Sequence, residues 1–157
     1  MKSNTTRWVL GHKISPVFVS GEYDMVIGET PAQVPGPPPH YHKEYNEVFL
    51  VIEGEMEFMV DGEVKIVKAG ESVDLPPNKL HTFGNKSAAN CKWVNIHSPK
   101  GFSSFFNDMG IPDDWVLTPG NSQKEIHQAF HVFSQSAVRV SQSGASFSQT
   151  ALGGFGS

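Results

Sequence analysis

Four residues of this chain have the types and the spacing of a metal site. His40 and His42 are separated by one residue, Glu47 follows them closely, and His81 lies further along. In a β-strand, residues i and i+2 face the same side, so His40 and His42 can point together into one cavity. Three imidazoles and one carboxylate form a mixed nitrogen and oxygen donor set that suits a divalent first-row metal. The four residues therefore predict a metal centre with positions left for water, dioxygen or substrate.

Further residues complete two motifs around this set. The first motif has the form HxH, four residues, E, six residues and G, and it is formed by His40, His42, Glu47 and Gly54. The second has the form G, five residues, PxG, two residues, H, three residues and N, and it is formed by Gly70, Pro76, His81 and Asn85. Asn78 stands where the second motif has its later glycine. Because asparagine tolerates the left-handed backbone region, we expect that turn to be kept. Together the two motifs resemble the signature motifs of the cupin superfamily.

The resemblance implies a fold and a cofactor. The implied fold is a small antiparallel β-barrel, the double-stranded β-helix or jelly roll. The implied cofactor is a divalent transition metal (Fe, Mn, Ni, Co, Cu or Zn), held inside the barrel by His40, His42, Glu47 and His81. One departure concerns the approach to the first histidine: three residues separate Gly36 from His40, where the family usually has five.

A narrower resemblance concerns activity. Segments 37–42 (PPPHYH) and 101–106 (GFSSFF) are similar to those of small single-domain cupins that resemble quercetin 2,3-dioxygenases. This implies a dioxygenase-like oxidoreductase with a small-molecule substrate, mostly uncharged and of aromatic or enediol character. Glu47 would be the catalytic residue if it leaves the metal to take a substrate proton, or it would be a plain ligand; the sequence leaves both roles open.

Two other functions also stay open. The same metal could serve as a Lewis acid in an isomerase or epimerase, or it could anchor a ligand in a non-catalytic binding or sensing module. The two arginines of the chain, Arg7 and Arg139, offer little for bidentate recognition of an anionic substrate. A two-histidine, one-carboxylate site built from His42, Glu44 and His81 is disfavoured, because it would leave His40 without a role.

The elements that must position these residues are short strands. Runs of β-like residues recur at spacings of about ten residues and are separated by Gly or Pro, a pattern typical of a sandwich or barrel. Asp61-Gly62 lies between two runs and predicts a tight hairpin, and Glu53-Gly54 occupies a similar place. We therefore predict an all-β fold followed by helical segments. Residues 102–109 predict a short helix, and Ser122 would be the N-cap of a second helix over residues 123–135.

These patterns divide the chain into three predicted segments. Residues 1–115 form the barrel with its adjoining short helix, and residues 116–140 form a C-terminal helical extension. Residues 141–157 are rich in Ser, Gly and Gln and are predicted to be a flexible tail.

Several other aromatic and histidine residues have two interpretations each. The aromatic residues that could line a substrate pocket or simply form the barrel core are Phe49, Phe58, Phe83 and Trp93. A second aromatic set could cap one end of the barrel or form a dimer surface, and it comprises Phe102, Phe105 and Phe106. His127 and His131 have a zinc-compatible spacing but are interpreted as an exposed polar face. His12 and His97 are interpreted as ordinary strand residues.

Composition excludes several partners. The chain has 157 residues, a formal net charge of -4 and one cysteine, Cys91. A pI near 5.9 argues against nucleic-acid binding, which usually requires a basic patch. The longest strongly apolar run covers residues 48–52, which is far too short to span a membrane. We expect a cytoplasmic protein that forms a homodimer.

Overall fold

Short strands dominate the part of the chain that the structure describes, residues 5–113 and 145–147. The structure is a computed structural model. The described elements are β1 (Arg7–Val9), β2 (His12–Val17), β3 (Asp24–Thr30), β4 (His40–His42), β5 (Asn46–Glu53), β6 (Glu55–Val60), β7 (Glu63–Lys68), β8 (Ser72–Leu75), β9 (His81–Gly84), β10 (Cys91–Ser98), α1 (Ser103–Met109), β11 (Ile111–Pro112) and β12 (Ala145–Phe147). The predicted all-β fold and the short helix over residues 102–109 are confirmed.

The strands form two antiparallel sheets. One has the order β11-β1-β2-β3-β10-β5-β8, and the other has the order β12-β4-β9-β6-β7. Strands that are neighbours in sequence therefore lie in different sheets at several points, as the predicted jelly-roll barrel requires. Of the segments predicted beyond the barrel, the structure describes only residues 145–147, which pair with β4. The helix predicted over residues 123–135 and the rest of the predicted tail lie outside the described residues.

Alternating burial along the strands creates the barrel interior. On β5, Phe49 and Val51 are buried while Leu50 is exposed. Phe58 on β6 is fully buried and packs edge-on against Phe49, with ring centroids 5.1 Å apart. Burying each such side chain contributes about 1.5–3 kcal/mol to the free energy of folding. The same alternation sends one polar residue of β5, Glu47, into the interior, at the end where the metal ligands were predicted.

Two glycine-containing turns have different roles. Asp61 and Gly62 have φ values of 49° and 89° and form the predicted hairpin between β6 and β7. Gly54, with φ of 75°, instead carries the chain from one sheet to the other, because β5 and β6 do not pair. A Cβ atom there would lie 2.6 Å from the carbonyl oxygen of Asn90. Gly54 is therefore required both by its backbone conformation and by a close approach.

The turn before β9 fixes the position of its first residue. Asn78 has φ of 67°, so it adopts the left-handed conformation expected at this motif position. Its backbone N–H donates a hydrogen bond of 2.7 Å to the carbonyl oxygen of His42. The turn is thereby attached to β4, and His81 pairs in register with His40.

None of the helices among residues 5–113 and 145–147 is long and apolar enough to cross a membrane.

Candidate metal centre

All four predicted ligands meet at one end of the barrel. His40 and His42 lie on the inward face of β4, Glu47 lies on β5, and His81 begins β9. Each is buried, and one ligand atom from each lies within 4.8 Å of the others. Three strands from two sheets thus deliver three imidazoles and one carboxylate to a single point. Such a group could hold a metal ion.

Backbone carbonyls orient two of the histidines. Nδ1 of His40 lies 2.9 Å from the Pro38 carbonyl oxygen, and Nδ1 of His81 lies 2.8 Å from the Lys79 carbonyl oxygen. A carbonyl can only accept, so each Nδ1 must donate its hydrogen. In a neutral ring the lone pair then lies on Nε2, the atom available to a metal. Burial, together with the neighbouring charge of His81, lowers the pKa of His40 to about 3, which keeps that ring neutral at pH 7.

Glu47 is the point on which the histidines converge. Its Oε2 atom lies 3.1 Å from Nε2 of His42 and 3.0 Å from Nε2 of His81. Burial alone would raise the pKa of Glu47, but the charge of His97 and the close contacts with three histidine rings lower it well below its usual value. Burial would lower the pKa of His81, but its interactions with Glu47 outweigh burial and raise it.

The unsatisfied polar atoms of this cluster fit a cation. Nε2 of His81 approaches the Glu47 carboxylate at 3.0 Å, but its angles are not those of a hydrogen bond. Buried polar atoms are normally hydrogen-bonded. A nitrogen without a hydrogen bond among several converging ligand atoms therefore indicates a further partner. Neutral imidazole nitrogens and a carboxylate oxygen are suitable ligands for a divalent transition metal. The residues present therefore fit the metal that their spacing predicted.

Two further residues, Asn95 and His97, hold the other carboxylate oxygen of Glu47. Asn95 donates a hydrogen bond of 2.8 Å to Oε1, and Nε2 of His97 lies 3.2 Å from the same atom. The sequence interpretation treated His97 as ordinary and did not single out Asn95. Their signal was strand parity: both alternate with the inward-facing Trp93 on β10. A buried polar residue at an inward position of a barrel strand needs a polar partner.

An apolar cavity leads to the metal centre. Its lining residues that are not ligands are mostly aromatic or aliphatic, and they include Phe49, Phe83, Trp93, Phe102, Phe105 and Phe106. Phe58 is fully buried and belongs to the core instead. The cavity has a volume of about 60 Å³, measured as the space open to the centres of water-sized molecules. No lysine or arginine lies among the described residues that line it.

The helix-side aromatic residues close one wall of this cavity. The ring of Phe102 stacks on His97, with centroids 3.7 Å apart and an interplanar angle of 9°. Backbone N–H groups of Gly101 and Ser103 donate to Oδ2 of Asp24, at 2.7 and 3.1 Å. This buried carboxylate therefore ties the start of α1 to β3 and keeps Phe102 over the metal centre.

The remaining site interpretations also have positions in the structure. Lys43 and Glu44 are exposed, which removes Glu44 from any buried metal site, and Tyr41 lies on the opposite face of β4 from His40 and His42. His12 is buried and lines the cavity at a distance from the ligand cluster. His127 and His131 lie outside the described residues.

Comparison with known proteins identifies the family model that matches. Residues 19–97 match the model described as Cupin domain, which covers half of the chain. A quercetin 2,3-dioxygenase of Bacillus subtilis (strain 168) is 30% identical over 84 residues, which are 54% of this chain and 25% of that protein. An uncharacterized protein of Aquifex aeolicus (strain VF5) is 37% identical over 49 residues, 31% of this chain and 40% of that protein. The chain therefore spans less than half the length of these relatives.

Solved structures share the fold at low identity. KdgF from Halomonas sp. has a TM-score of 0.55 and 18% identity, over 60% of this chain and 84% of that chain. An RmlC-like cupin from Shewanella frigidimarina has a TM-score of 0.55 and 22% identity, over 67% of this chain and 92% of that chain. A sugar phosphate isomerase from a cupin superfamily of Silicibacter pomeroyi has a TM-score of 0.51 and 18% identity, over 55% of this chain and 59% of that chain.

Proposed function

Because this chain belongs to the cupin family, we propose that it is a metal-dependent, dioxygenase-like oxidoreductase for a small, mostly uncharged aromatic or enediol compound. One observation carries the proposal: the four-residue cluster lies at the end of an aromatic cavity that has no cationic side chain among its described lining residues. The similarity of 84 residues of this chain to a quercetin 2,3-dioxygenase supports the same substrate class. The metal would be held by His40, His42, Glu47 and His81.

The bound metal would supply Lewis acidity toward an enolate or hydroxyl oxygen of the substrate. The side chains of the protein would carry out the proton transfer and exclude water. Glu47 would accept the proton of the substrate hydroxyl group. Its histidine contacts now keep it a weak base, and loosening them would raise its basicity because its full burial penalises the charged form. Dioxygen would be the oxidant and the substrate the reductant, with both oxygen atoms ending in the product.

Asn95 and the aromatic residues would prepare this proton transfer. The Asn95 side chain holds Oε1 of Glu47, which leaves Oε2 directed at the histidines and the cavity. Phe102 and Phe106 cover the cluster from the side of α1 and would exclude water from it. Such exclusion strengthens electrostatic interactions inside the site and limits hydrolysis of reactive species.

The test is oxygen consumption with flavonols and related enediols, using protein loaded separately with Fe, Mn, Ni, Co and Cu. We expect at least one metal to support uptake, and we expect a Glu47→Gln variant to lose it. Glu44→Gln is the matched control, because Glu44 is a carboxylate of the same segment that is exposed. No uptake with any metal, or equal uptake by the Glu47→Gln variant, would contradict the proposal.

An isomerase or epimerase with the same metal is the second candidate. It is favoured by the shared fold with the sugar phosphate isomerase structure, although that likeness at 18% identity concerns the fold alone. The absence of Lys and Arg from the described cavity lining weighs against a phosphorylated substrate, whose charge would need a partner there. Anaerobic conversion of a neutral enediol without oxygen uptake would favour this candidate.

A non-catalytic binding module is the third candidate. It would use the metal only to anchor a ligand in the cavity. A compound that raises the melting temperature of the metal-loaded protein but is recovered unchanged would favour this function.

We also propose a homodimer. Among the described strands, β7 lies at one edge of its sheet, and Val64 and Ile66 on it are exposed. An open edge with exposed apolar residues tends to associate, and a second copy would cover both. Sedimentation should give the mass of a dimer, and a Val64→Lys/Ile66→Lys variant should shift that mass toward the monomer. A monomeric mass for the unmodified chain would contradict the proposal.

A further inference from the structure

His12 is a buried residue that faces the cavity and has no role in the metal centre. It is 3% exposed and packs among aromatic rings, with centroid separations of 5.0 Å to Phe83 and 6.5 Å to Trp93. The cavity lining includes its side chain. The other lining side chains with polar atoms are three of the candidate ligands, the two residues that hold Glu47, and Trp93.

A chain of hydrogen bonds sets the tautomer of His12. Nε1 of Trp93 lies 2.9 Å from Oγ1 of Thr30 and can only donate to it. Oγ1 of Thr30 also lies 2.9 Å from Nδ1 of His12. These are the side-chain partners of that hydroxyl among the described residues, so its own hydrogen is directed to Nδ1 of His12. A neutral imidazole carries one hydrogen, which must then be on Nε2.

The resulting N–H group is a buried donor without a partner. Nε2 of His12 has no hydrogen-bond partner among the described residues. Burial lowers the pKa of His12 to about 4, so the ring is neutral at pH 7. A buried donor at a cavity wall is costly until an acceptor reaches it. A bound ligand is the partner that the position of His12 allows.

The sheet register separates His12 from the metal centre. Thr30, which contacts His12, pairs with Cys91 at one end of β10, whereas Glu47 pairs with His97 at the other end. The aromatic rings of Phe49, Phe83 and Trp93 line the cavity between these two ends. A ligand that uses both ends must be elongated, with flat apolar surface between two polar groups.

From this arrangement, we propose that His12 is a specificity-determining residue whose Nε2–H donates a hydrogen bond to an uncharged oxygen acceptor at the end of the substrate remote from the metal. This inference rests on the proposed function, because it takes the metal centre as the other anchor. A neutral donor without a nearby Lys or Arg favours an ether, hydroxyl or carbonyl oxygen over a carboxylate or phosphate. The selected class is then elongated aromatic compounds with a metal-binding oxygen pair at one end and a neutral oxygen at the other.

Isosteric probe pairs test this assignment. We would measure the affinities of 3-hydroxyflavones that carry either a methoxy or an ethyl group at the 3′ or 4′ position. The two compounds of each pair are similar in size and differ in one acceptor oxygen. Calorimetry on zinc-loaded protein without dioxygen keeps binding separate from turnover. We expect the wild type to bind a methoxy probe about tenfold more tightly than its ethyl partner, the effect of one buried hydrogen bond.

Two variants attribute this preference to His12. In His12→Phe, which keeps a flat ring against Phe83 and Trp93, the affinity ratio within each pair should fall to about one. In Thr30→Val, loss of the hydroxyl frees Nδ1 to carry the hydrogen, so the ratio should fall as well. Each ratio compares two ligands on one protein. A general loss of stability or of bound metal therefore affects both affinities equally and cancels in the ratio. Long-range nitrogen-15 NMR of the wild type should find the hydrogen of His12 on Nε2.

The outcomes separate this inference from the proposed dioxygenase. A wild-type ratio of one, an unchanged ratio in His12→Phe, or a hydrogen on Nδ1 would overturn the role of His12, whatever the oxygen-uptake assay gives. An affinity ratio that depends on His12, found together with no oxygen uptake, would support the role of His12 and overturn the proposed dioxygenase activity. Absence of binding by every probe would overturn both.

Discussion

The buried His12 side chain should make folding sensitive to mild acid. Burial lowers the pKa of His12 from 6.5 to about 4, whereas the unfolded chain keeps the ordinary value. Between pH 6.5 and pH 4 the unfolded state therefore binds a proton that the folded state does not. The contribution of His12 to stability is complete above pH 6.5 and is lost progressively as the pH falls toward 4.

The size of this loss follows from the two pKa values. At pH 5.0 the linkage relation gives a loss of about 2 kcal/mol relative to pH 7.5, and the full difference of pKa corresponds to about 3 kcal/mol well below pH 4. This loss is a large fraction of the free energy of unfolding of a protein domain, which is about 5–15 kcal/mol. It is also large enough to measure by urea denaturation.

The assay compares wild type with His12→Phe in metal-free protein. Urea unfolding at pH 7.5 and pH 5.0 gives the free energy of unfolding of each protein at each pH. Acid effects from the metal-centre residues occur in both proteins and cancel in the difference. The stability of wild type relative to the variant should therefore decrease by about 2 kcal/mol between the two values of pH. Parallel pH dependence in the two proteins would refute the assignment of a neutral, buried His12.

Two further predictions concern metal affinity and backbone geometry. Asn95→Leu removes the hydrogen bond that holds Glu47 and should weaken metal binding about tenfold to hundredfold in a competition titration. Asn46→Leu, which alters an exposed asparagine contact, should leave metal affinity unchanged. Gly54→Ala should lower the free energy of unfolding by at least about 2 kcal/mol, because backbone strain is combined with a carbonyl clash. Gly70→Ala has similar strain (φ of 88°) with no atom within 4 Å, so equal losses would show that the clash is unimportant.

The metal centre illustrates how buried polar groups are organised in this barrel. Burial of a carboxylate is costly unless opposite charges or hydrogen bonds compensate. Here Glu47 receives a hydrogen bond from Asn95 on one oxygen and faces histidines on the other. A bound cation would complete this compensation, so metal should raise the melting temperature as well as support activity.

Local patterns in the sequence were sufficient for the barrel strands and for the choice of candidate ligands. Strand parity placed His40 and His42 on one face. The short segment between His42 and Glu47 has the length of a turn that leads from β4 into β5. The Asp61-Gly62 hairpin was predictable because it depends on residues adjacent in the chain. Such features are local, and their physical causes are the two-residue period of a strand and the allowed backbone angles.

Long-range packing decided what the remaining residues do. Glu53-Gly54 resembles a hairpin turn in sequence, but the strands on either side of it, β5 and β6, belong to different sheets, which only the closed barrel determines. His97 and His12 have similar strand contexts in the sequence. Register places His97 opposite Glu47, whereas His12 contacts Thr30. The sequence alone therefore determined the strands and the candidate ligands, because both depend on short-range periodicity and spacing. The cavity, its aromatic lining and the position of His12 in its wall depended on which strands became neighbours. That choice is a consequence of burying apolar surface across the whole domain.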